Sequence, residues 1–181
     1  MNRFLLWGAD FHQEAVTPAQ GRYYLWVVAF TFGNLLFPAL VHTVPMGGLI
    51  FLPIYFFTLI AAYRWGLWAG LATAVLSPLA NTFLTGMPPV AMVDVIVVKS
   101  VALALVASLV AQRSKQISLG GLALVIVGYQ LLGGLYEMAK AGSFQAALGD
   151  WVLGWPGLLI QLVVGGLVLG LWRGRGRQTT V

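Results

Sequence analysis

The chain has 181 residues, of which 60% are hydrophobic and 8% charged, and its mean hydropathy is +0.89; soluble domains carry about 25% charged residues, so a soluble fold is excluded and an integral membrane protein remains. Cysteine is absent, which removes disulfides, thiolate metal sites and cysteine nucleophiles. The formal charge of +5 reads as an orientation signal and not as a nucleic-acid footprint, because of where the cations fall.

In chain order, the opening segment MNRFLLWGADFHQEAVTPAQG, residues 1–21, lacks an apolar run followed by a small-residue cleavage site, and Asp10 and Glu14 interrupt it. It is expected to be a short cytoplasmic arm and not a signal peptide. A helix needs roughly 20 apolar residues to cross a bilayer core. Six stretches qualify: 22–43, 48–64, 66–86, 90–112, 118–140 and 153–172. The breaks between them are TVPMGG, YRWG, TGMPP, QRSKQIS and the longer KAGSFQAALGDWVLGW. Ten-residue alternating segments, the mark of a membrane barrel, are absent. The predicted fold is therefore all-α: a polytopic membrane protein with one six-helix domain over 22–172 and a basic tail over 173–181.

If six helices alternate, Arg3, Arg22, Arg64, Arg113, Lys115, Arg173, Arg175 and Arg177 share one side, while Lys140 faces the other and Lys99 lies within a span. The cation bias puts both termini in the cytoplasm. The tail RGRGR is expected beside anionic headgroups. Prolines show the opposite bias. Pro38, Pro45, Pro53, Pro78, Pro88, Pro89 and Pro156 map to the outer half. Proline inside a span frees backbone groups that neighbours or water must satisfy, so the outer half is predicted to be irregular and able to line a cavity. Small residues at helical spacing, Ala29 with Gly33 and Gly66 with Gly70 and Ala74, let helices approach closely. They serve either internal packing or docking of a partner.

The segment MVDVIVVKS, residues 92–100, sets two charges in this apolar background. At about 1.5 Å per residue, Asp94 lies about 6 Å and Lys99 about 13 Å below the outer end of the fourth span. Five residues apart, they are not an i,i+4 pair. Glu137 and Tyr136 lie near the outer end of the fifth span, with Tyr129 and Gln130 deeper. Gln161 on the sixth span and Asn81 on the third share the same half, and His42, Lys140 and Trp155 sit near the mouth. A charge at depth costs about 2.5–3.5 kcal/mol on insertion scales and marks a functional site by default. Lys99 is expected to meet Glu137 or an anionic group of a ligand. The bland alternatives are Asp94 as a helix-start residue, a structural Lys99–Glu137 pair, interhelical glutamine hydrogen bonds and Trp155 in an aromatic belt. There is no phosphate-binding G-x-x-x-x-G-K-[ST] loop, no H-E-x-x-H or other metal spacing, and no Ser/His/Asp set. The sequence thus points away from an enzyme, and no metal or cofactor is expected.

GGLIFLPIYFFTLIAAYRWGLWAGLATAVLSPLANTFLTGMPP, residues 47–89, resembles the substrate-binding (S) components of energy-coupling factor (ECF) vitamin transporters. The resemblance implies a prokaryotic inner-membrane subunit that captures a micronutrient from outside. Its pocket would come mainly from spans four to six and the loop between spans one and two. The subunit would dock through small residues of its first helix on a transmembrane coupling protein, and two separate ATPases would drive transport. Ala29-Phe-Thr-Phe-Gly33 stands where that family carries Ala-x-x-x-Ala. On this resemblance Asp94, Lys99, Gln130, Glu137 and Gln161 would hold polar groups of the substrate. Tyr129, Tyr136 and Trp155 would wall it, and Asn81 and His42 would rim it beneath a TVPMGG lid. The alternative is a self-sufficient, proton-coupled secondary transporter using Asp94 or Glu137.

Overall fold

The computed structural model describes residues 11–171; Arg3, Arg173, Arg175, Arg177, the basic tail and the first ten residues of the arm lie outside them. Among the described residues the chain is all helix: α1 (Gly21–Val41), α2 (Gly47–Phe51), a single 3₁₀ turn (Pro53–Tyr55), α3 (Phe56–Trp65), α4 (Leu67–Thr85), α5 (Val90–Arg113), α6 (Leu119–Ala141), α7 (Phe144–Val152) and α8 (Trp155–Leu171). The local punctuation follows the sequence. Gly66, Gly86 and Gly142 take positive φ at helix ends, where a side chain would be strained. Ser118 accepts a hydrogen bond from Gly121 N at 3.0 Å and caps α6, and Ser143 accepts one from Gln145 N at 3.2 Å and caps α7.

Four helices, α1, α4, α5 and α6, are long and apolar enough to cross a bilayer, and α7 with α8, bent by 52° at their junction, makes a fifth if counted as one span. Two expectations therefore change. The stretch 48–64 is not a continuous helix. It breaks at Leu52, whose φ is +46, because Pro53 cannot donate to the preceding turn. The remaining ten-residue α3 is about 15 Å long at the usual helical rise, too short to span alone. The segment 141–152, read as a loop, holds the nine-residue α7.

α3 is the hub of the bundle. Nine of its ten residues are buried, and it packs against α1, α4, α5 and α8. Gly70 makes this closeness possible: a Cβ there would stand 2.8 Å from the Ala62 Cα and 3.2 Å from the Ala104 Cβ. So Gly66, Gly70 and Ala74, all buried, serve internal packing. A buried polar knot ties the hub to α1 and α4. Asn34 donates to Thr58 Oγ1 at 3.1 Å and to Ser77 Oγ at 3.0 Å, and its Oδ1 accepts from Phe57 N at 3.2 Å. That last bond satisfies one of the amides left open where the broken span restarts.

At the end carrying Arg64, Arg113 and Lys115, the arm closes over the bundle. Phe11 and Val16 are buried, and Glu14 N and Val16 N donate to Arg64 O and Trp65 O at 2.9 Å each. Gln13 Nε2 donates to Ala62 O at 2.9 Å and Tyr63 O at 3.1 Å, capping the last carbonyls of α3. The Arg64 side chain, 6% exposed, pairs with Glu14. We call this the basic end and the opposite one the cavity end.

Candidate ligand cavity and ion-pair clusters

The polar residues picked out in the sequence gather at the cavity end, but in three separate places. The first is a cavity of about 550 Å³ among α1, α2, the 3₁₀ turn, α4 and the start of α5. Pro38, Pro45, Pro53, Pro88 and Pro89 line it, with Met46, Met87 and Met92. Five of the outer-half prolines thus form its wall. Of the expected site residues, His42 and Asn81 reach it. Asn81 is buried, and its Nδ2 is held by Asn34 O at 2.8 Å and Ser77 O at 2.9 Å. His42 is exposed at the mouth, its ring so close over Gly48 that a Cβ there would lie 2.8 Å from Nε2. The cavity therefore lies on the side of spans one to four.

The second place is buried between α5, α6, α7 and α8. Lys99, 1% exposed, lies 2.6 Å from Glu137 Oε2 and 2.7 Å from Asp150 Oδ2. Gln130 donates to Asp150 Oδ2 at 3.2 Å and to the Tyr129 hydroxyl at 3.1 Å, and that hydroxyl donates to Gln161 Oε1 at 3.1 Å. Gly133 makes room for the Lys99 stem, which a Cβ there would strike. One ammonium faces two carboxylates, so the trio carries a net charge of −1 when all are ionised. Lys99 therefore meets Glu137, as one alternative held, and needs no ligand anion to compensate it.

Asp150 was not among the expected site residues. It lies on α7, where no apolar run announces a helix; Ser143 as a cap before FQAALGDWV was the available signal. Tyr55, buried with its ring 5.6 Å from that of Tyr129, was also missed.

The third place is on the surface. Asp94 pairs with Lys140 at 2.6 Å and accepts from the Tyr136 hydroxyl at 2.9 Å, stitching α5 to α6. Lys140 also donates to Ala91 O at 2.9 Å. Trp155 is 56% exposed at the start of α8. Of the small pair on α1, Ala29 is exposed, whereas a Cβ on Gly33 would lie 2.9 Å from the Phe57 ring. Gly33 thus packs inward and Ala29 faces out.

No family model, curated protein or solved structure matches the chain.

Proposed function

We propose that the chain is the substrate-binding membrane subunit of an ECF-type importer in a prokaryotic inner membrane, with the basic end in the cytoplasm. It captures a vitamin or related micronutrient from the outside, then docks on a transmembrane coupling protein driven by two ATPase subunits. The observation that carries this reading is the cavity of about 550 Å³ at the end opposite Arg64, Arg113 and Lys115, walled by the segment joining the first two traverses. That volume falls within the roughly 300–1,000 Å³ of small-molecule sites. The absence of a phosphate-binding loop in the chain suits a division of labour with separate ATPases.

Reconstitution in proteoliposomes tests it. Uptake of a co-purifying small molecule is expected only when the coupling protein, the ATPases and ATP are all present. Uptake by this chain alone under a proton gradient would overturn the proposal. It would favour a second reading, a proton-coupled secondary transporter, for which the net −1 trio of Lys99, Glu137 and Asp150 is the supporting observation.

A further inference from the structure

We infer that the cavity takes an uncharged, flat aromatic molecule with one N–H or O–H donor on its edge, which Asn81 Oδ1 accepts. This rests on the cavity being the capture site of the proposed function, and it narrows the class of substrate. Among the lining side chains there is no Asp, Glu, Lys or Arg. The nearest acid on α5, Asp94, is engaged by Lys140 and Tyr136, and the deeper charges are engaged by one another. Past the His42 imidazole at the exposed mouth, an ion entering the cavity would lose hydration with no carboxylate, ammonium or guanidinium to meet it, a penalty of several kcal/mol for full burial. The cavity thus selects against both anions and cations.

The wall chemistry defines the body of the ligand. Three methionine side chains line it, and thioether sulfurs favour aromatic ring edges by about 0.3–1.5 kcal/mol per contact. Five rigid prolines supply flat apolar faces without donors. Asn81 supplies the buried polar point, with His42 the polar group at the exposed mouth. Both of its amide hydrogens are directed to the backbone oxygens of Asn34 and Ser77, which fixes the orientation of the head group. The hydrogen bonds of its head group among the described residues all run from Nδ2, which leaves Oδ1 as the acceptor. A fixed acceptor in an apolar wall discriminates by the donor it meets, since an unmatched polar group costs more than a matched one contributes.

Four probes built on one ring system separate the possibilities: indole, neutral with a donor; 1-methylindole, neutral without one; indole-3-acetate, an anion; and tryptamine, a cation. Binding is measured by calorimetry on the full chain in nanodiscs, against empty nanodiscs. Indole is expected to bind saturably at one site. Each of the other three should bind weaker by about tenfold or more, the size of one lost hydrogen bond or an uncompensated charge. Met92→Trp, which fills the cavity from α5, should abolish indole binding while the protein keeps its elution profile. Met87→Trp gives the same test from another wall if the first variant does not fold.

Equal or tighter binding of either charged probe, equal binding of 1-methylindole, no saturable binding of indole, or binding unchanged in both occluded variants would overturn the inference. So would native mass spectrometry showing a phospholipid retained by the unmodified chain and lost from Met92→Trp, which assigns the cavity to an acyl chain. The two proposals fail separately. Loss of ATP-driven uptake with the neutral preference intact sinks the importer; a charged preference with uptake intact sinks the ligand class.

Discussion

Lys99 is the residue on which the second polar cluster turns. Its ammonium is buried and divided between Glu137 and Asp150. Removing one partner of a buried ion pair leaves the other uncompensated, at about 3–5 kcal/mol, whereas replacing the whole set with neutral groups is often nearly free. Lys99→Met is therefore expected to lower the unfolding midpoint in detergent strongly. The triple change Lys99→Met, Glu137→Gln, Asp150→Asn should recover most of the loss, and a mutant cycle read by thermal unfolding checks this. If the triple variant is no better than Lys99→Met, the cost lies in packing and not in charge. All of this cluster but Asp150 was legible in the sequence. A lysine and a glutamate in the same half of neighbouring spans can be paired by counting residues. Asp150 could not, because its position depends on how α7 folds back over α6, and neither hydropathy nor spacing encodes that turn.

At the scale of elements, the unusual piece is α2. It is five residues long and bounded by two bulky residues in the left-handed region, Met46 at φ +57 and Leu52 at φ +46. For a side chain with a Cβ this conformation costs roughly 1–2 kcal/mol. Met46 is 58% exposed and has little packing to lose. Met46→Gly should therefore be neutral or stabilising, and Met46→Val, branched at Cβ, should be less stable than the glycine variant by about 1–2 kcal/mol. Equal unfolding midpoints for the two would remove the strain argument.

The opposite logic holds at Gly70, where α3, α4 and α5 meet. Gly70→Ala inserts a Cβ against the Ala62 backbone and should destabilise by about 1–3 kcal/mol in the same assay. Both features show what hydropathy reads and what it misses. The stretch 48–64 is apolar almost throughout, so it reads as one span, but apolarity carries no information about backbone dihedrals. Pro53 was the only printed warning. The small-residue series on α4 was readable as a close approach; that its neighbours would be α3 and α5, and not another protein, needed the three-dimensional arrangement.

For the whole molecule, the testable matter is which way it lies. The absence of native cysteine allows single-cysteine variants to be labelled without background removal. With the basic end in the cytoplasm, Thr43→Cys should react with an impermeant maleimide added to intact cells. Lys115→Cys should react only after the membrane is opened. The reverse pattern would invert the orientation and place the cavity inside. The exposed sides of α1, α4 and α6 are rich in large apolar residues such as Leu25, Phe32, Phe83 and Leu131, as lipid contact requires.

α3 presents no such side. It is enclosed by four helices, three of which, α4, α5 and α8, come after it in the chain. Its one packing helix already made at the moment of synthesis, α1, covers only part of it. During biogenesis, then, the segment 56–65 emerges before most of its wrapping exists and carries Arg64, whose partner Glu14 lies in the already synthesised arm. A ribosome-bound chain halted after α4 would hold α3 against an open flank, and only the later arrival of α5 and α8 completes the enclosure. The order in which the helices are released into the bilayer is thus not the order in which the hub can be finished.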